Sequence, residues 1–91
     1  MSSITYLDFC LKFFNKIYAI QQRGLYSHAE VSNLMREIES VLDKIKEKNQ
    51  TQQLLDWYSR EFNPEYQLTW LRYTFHQHLK RAGKDPLKTL V

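Results

Sequence analysis

An apolar stripe between Ser27 and Lys48 limits this chain to a helical fold more firmly than any other feature. Ser27 followed by Glu30 makes a capping box, in which hydroxyl and carboxylate each satisfy a backbone N–H that the first helical turn leaves without an acceptor. Val31, Leu34, Met35, Ile38, Val41, Leu42 and Ile45 then recur at three- and four-residue steps. At about 100° per residue they fall within roughly 120° of arc, so one face is built for packing. Lys44, Lys46 and Lys48 stand where the negative end of the helix dipole would be.

Three more helices are readable by the same signals. Thr5 can cap a first helix over about residues 5–22, with Gly24 as a left-handed stop. Its apolar side chains, from Tyr6 to Ile20, cover about 200° of arc, more than one neighbouring helix can hide. The second helix is expected over 28–48. The polar run Asn49 to Gln52 interrupts the pattern without Gly or Pro, so residues 28–62 form either two helices or one long one. A turn is favoured, giving a third helix over 51–62 that buries Leu54, Leu55, Tyr58 and Phe62. Asn63 and Pro64 suit the cap and first turn of a fourth helix over 64–82, stopped by Gly83. Residues 84–91 are then a tail that frays or adds a short turn around Leu87, Leu90 and Val91. The expectation is all-α: a single domain over 1–91, built as a bundle of four helices.

Composition agrees. A chain of 91 residues has room for one core, and with Leu, Ile, Val and Phe making up 25 of the 91 it is too apolar for disorder. Two glycines and two prolines are too few for a many-stranded sheet. The single Cys10 cannot form an internal disulfide, and no stretch is long and apolar enough to cross a membrane. A reducing, cytoplasmic setting is expected. The net charge of +3 is unevenly spread, since Arg72, Lys80, Arg81, Lys84 and Lys88 face only Asp85 near the C-terminus. These five are a candidate basic patch.

Chemistry is harder to find. His76 and His78 are two apart on a helix and point away from each other, whereas helical chelation needs steps of three or four. His78 is expected along the inner face and His76 in solvent. Glu37, Glu39, Asp43 and Glu47 lie on a wet helix face, Cys10 on an apolar one, and no glycine-rich phosphate loop exists. No catalytic residue, cofactor or metal is expected, and the chain reads as non-enzymatic.

The fourth helix has two things to bury. Leu68, Leu71, Phe75, His78, Leu79 and Ala82 form its inner face, and Tyr66, Trp70, Tyr73 and Gln77 the opposite one, flanked by Lys80 and Arg81. Trp, Tyr and Arg are enriched at interface hot spots, so with Phe9 and Phe13 of the first helix this stripe is the expected interface. The expected partner is a second copy of the chain, then a foreign protein in an adaptor, regulatory or immunity role. Nucleic acid is the alternative, because aromatic rings interleaved with cations are the ingredients of single-strand binding.

The stretch Leu71 to Asp85 also resembles the active-site helix region of tyrosine recombinases, matching it at Leu71, Arg72, Thr74, Phe75, His78, Leu79 and Gly83. By that likeness Arg72 would bind phosphate. Thr69 stands where the family has a histidine, and nothing upstream supplies its strand-borne lysine or first arginine, so the activity is not carried over.

Overall fold

The computed structural model describes residues 4–58, 60 and 63–87, and it is an all-α bundle. Four helices follow one another: α1 (Tyr6–Arg23), α2 (His28–Leu42), α3 (Lys48–Tyr58) and α4 (Pro64–Arg81). None of the helices among the described residues is long and apolar enough to cross a membrane.

Local capping chemistry sets most of the boundaries. The Thr5 side chain accepts from the Asp8 N–H, and Gly24 closes α1 with φ of 77°, a left-handed conformation that glycine adopts without strain. Ser27 caps α2 by accepting from the Glu30 N–H. The Glu30 carboxylate is held below the usual range by the guanidinium of Arg23, with the Ser27 backbone N–H adding to it. Asn63 Oδ1 accepts from the N–H groups of Glu65 and Tyr66, so α4 starts at Pro64 as expected.

The end of α2 departs from expectation. The helix stops at Leu42, six residues before Lys48, and residues 28–62 form two helices. Lys44 N–H donates to Val41 O at 2.9 Å and Ile45 N–H to Leu42 O at 3.4 Å, tightening the last turn. Ile45 then pairs with Ile4 in an isolated parallel bridge, through Ile4 N–H to Lys44 O at 3.1 Å and Lys46 N–H to Ile4 O at 2.9 Å. Ile45 is buried all the same, so its apolar position in the stripe is satisfied without a helix. Lys48 opens α3 instead of closing α2, yet its Nζ reaches back to the Asp43 carbonyl oxygen at 2.6 Å.

One core unites the elements. Phe9, Cys10, Phe13, Phe14 and Ile17 of α1 meet Leu68, Leu71, Phe75 and Leu79 of α4, with Val31, Leu34, Met35 and Ile38 of α2 in the same cluster. The α1–α4 contact is the most extensive, and its centre is aromatic, with Phe9 edge-on to Phe75 at 5.3 Å between centroids. Lys16–Glu37 and Arg23–Glu30 ion pairs tie α1 to α2 at the rim. Of α3, Thr51 and Leu54 are buried, whereas Leu55, expected inside, is exposed, because it lies on the side of the helix turned away from the core. Phe62, Leu90 and Val91, and the side chain of Tyr58, lie outside what is described, so their expected burial is too.

Candidate interaction face and groove

The outer face of α4 keeps two of its aromatic rings in solvent. Tyr66 and Tyr73 are 54% and 56% exposed, and their seven-residue spacing puts them on one line two turns apart. Trp70 and Gln77 beside them are half-buried, and Trp70 packs partly against the core. The remaining two residues expected at the interface belong elsewhere. Phe9 and Phe13 are 1% and 0% exposed, because α4 and side chains of α2 together cover the broad apolar sector of α1. The apolar surface that α1 leaves uncovered is that of Leu11 and Ala19 and the edges of Leu7, Tyr18 and Ile20.

The basic residues do not form one surface. Arg72 and Arg81 are nine residues apart on an unbroken helix, which puts them about 180° from each other around its axis. Arg72 is half-buried, and its Nε is enclosed without an acceptor among the described residues. Lys80, Arg81 and Lys84 are exposed at the far end, where Gly83, with φ of 74°, turns the chain back and lets Lys84 N–H donate to Leu79 O at 2.8 Å. Lys88 lies outside the described residues.

His76 is not solvated as expected. Its Nε2 lies 2.8 Å from Asp85 Oδ1, an oxygen that also accepts from the Leu87 N–H, so this pair pins the chain beyond α4 against the helix. His78 faces inward, with Nδ1 3.0 Å from the Tyr6 hydroxyl. Burial lowers the His78 pKa, and the Arg81 guanidinium adds to the shift. Tyr6 in turn shares a hydrogen bond with Cys10, and burial drives both of their pKa values up, that of Cys10 to about 12. Tyr6 and Cys10 therefore stay protonated at neutral pH and are weak nucleophiles.

Above Tyr6 and His78 the surface opens into a groove of about 510 Å³, walled by Glu47, Gln50 and Gln53 on one side and Arg81 and Ala82 on the other. A smaller extension of about 100 Å³ adjoins it, lined in addition by Leu54, Trp70 and Thr74. Sequence reasoning missed this site, since its walls come from α1, the turn before α3, α3 and α4. Glu47 was expected on a wet helix face; it is exposed, but in the turn before α3, where its Oε2 accepts from the Tyr6 N–H at 2.8 Å and caps α1 across the molecule. Among the described residues no three His, Cys, Asp or Glu side chains gather where they could hold a metal ion. No protein-family model matches this chain, and neither a curated protein nor a solved structure is significantly similar to it.

Proposed function

We propose that this protein is a non-enzymatic protein–protein interaction module that pairs with a second copy of itself through the outer face of α4. The observation that carries this reading is the line of Tyr66 and Tyr73, each more than half exposed on a regular helix, with Trp70 and Gln77 alongside. Tyrosine supplies a large contact area at low entropic cost and is enriched where proteins meet. A stripe along one helix suits a two-fold contact, because α4 of one copy can lie against α4 of the other with each residue meeting its symmetry mate's neighbourhood. The buried free thiol of Cys10 fits a reducing, cytoplasmic compartment.

The test is solution mass over a dilution series, for the native chain and for Tyr66→Glu/Tyr73→Glu. Both side chains are exposed in the single chain, so the variant should keep its helix content and still melt cooperatively, losing only the concentration-dependent part of the native stability. The native protein should dissociate on dilution and the variant should be monomeric throughout, since a charge buried in an interface is heavily penalised. A native chain that is monomeric at every concentration removes the self-association reading. Trp70→Glu is the poorer probe, because Trp70 also packs on the core.

A further inference from the structure

The groove over Tyr6 carries chemistry that contact through the outer face of α4 does not use. It is lined by one cation, Arg81, and one carboxylate, Glu47, and these two form no ion pair with each other. Among the described residues the side chains of Arg81, Gln50 and Gln53 make no hydrogen bond or ion pair, and they line the groove as solvent-exposed groups, as Glu47 does. Glu47 spends Oε2 on the Tyr6 N–H and keeps Oε1. The smaller extension shares Tyr6, Gln50, Gln53 and His78 with the main groove, so a polar end leads directly to a side lined by Leu54 and Trp70.

We propose that this groove is a binding site for a small zwitterion with an apolar side chain, the chemistry of a free amino acid. Its carboxylate pairs with the Arg81 guanidinium, its ammonium with Glu47 Oε1, and its side chain lies toward Leu54 and Trp70. The amides of Gln50 and Gln53 hydrogen-bond whichever ligand atoms the charged pairs leave open. Charge balance selects this class. A phosphate dianion would find one guanidinium and be repelled by Glu47, because His78 is held toward its neutral form by burial. A simple carboxylate or a simple amine would engage only one of the two charged walls. A ligand with both charges satisfies both walls. The volume of about 510 Å³ is also in the range of small-molecule sites.

The experiment is a titration of the isotope-labelled full chain, followed through its backbone amide resonances. L-Phenylalanine and L-leucine are the zwitterionic probes; N-acetyl-L-phenylalanine, L-phenylalaninamide and phenyl phosphate are run in parallel. At least one zwitterion should give saturable shifts at Tyr6, Gln50, Gln53, His78 and Arg81, and each singly charged analogue should bind at least about tenfold more weakly. Arg81→Gln and Glu47→Gln should each weaken the zwitterion by a similar factor, Glu47→Gln while keeping an acceptor for the Tyr6 N–H. Failure of both zwitterions to give saturable shifts overturns the proposal. So does phenyl phosphate binding as well as the zwitterion, or zwitterion binding that survives Arg81→Gln.

Discussion

Cys10 and His78 stand at the two ends of one hydrogen-bonded run through the Tyr6 hydroxyl, and their surroundings give each a measurable signature. Burial pushes the Cys10 thiol up to about 12. At pH 8 that leaves about one molecule in ten thousand as thiolate, so a disulfide reagent should react slowly with the folded chain and fully once guanidinium unfolds it. Prompt modification without denaturant would mean that α1 opens readily. For His78 the folded pKa lies below the ordinary 6.5. The unfolded chain therefore binds this proton more readily, and the stability tied to a neutral His78 is complete above about pH 6.5 and shrinks as pH falls through that region. The native melting temperature should drop more steeply than that of His78→Gln between about pH 7 and pH 5. Parallel slopes for the two proteins would place the acid sensitivity at another group.

Among the elements, α3 is the one with least to hold it. Thr51 and Leu54 are its buried side chains among those described, whereas α1 and α4 share the aromatic centre of the core. Amide exchange should be fastest in α3 and slowest in α1 and α4, because local opening follows the buried contact that must be broken. Protection in α3 equal to that in α4 would show that it unfolds only with the whole domain. The same contrast explains what the sequence made legible. The starts of α1, α2 and α4 are written in neighbouring residues, Thr5 with Asp8, Ser27 with Glu30 and Asn63 with Tyr66, and all three lie within a residue of where local signals put them. The end of α2 is followed at once by the pairing of Ile45 with Ile4, far away in the chain, a bridge that no local pattern encodes. The groove was illegible for the same reason, since Tyr6 and His78 are 72 positions apart. The aromatic stripe of α4 was legible as a stripe. Its division into exposed Tyr66 and Tyr73 and half-buried Trp70 depends on how α4 is rotated against α1.

For the molecule as a whole, a single core makes stability indivisible. Ile38 of α2 is 1% exposed in the cluster that also holds the α1 and α4 side chains. Truncation to alanine should cost on the order of 2–5 kcal/mol through lost transfer energy and an unfilled cavity. In a domain this small that is a large share of the total, so denaturant curves read by circular dichroism and by tryptophan fluorescence should shift together. An unchanged midpoint for Ile38→Ala would mean that α2 contributes little to the shared core. The principal contact of the fold joins its first helix to its last, and synthesis runs in one direction. A ribosome adding about 5–20 residues per second finishes α1 on the order of 10 s before it finishes α4, whereas a helical domain of this kind folds in far less than a second. Through that interval Phe9 lacks its Phe75 neighbour and α2 alone can cover the apolar side of α1, so the aromatic centre of the core is left open until α4 has been made.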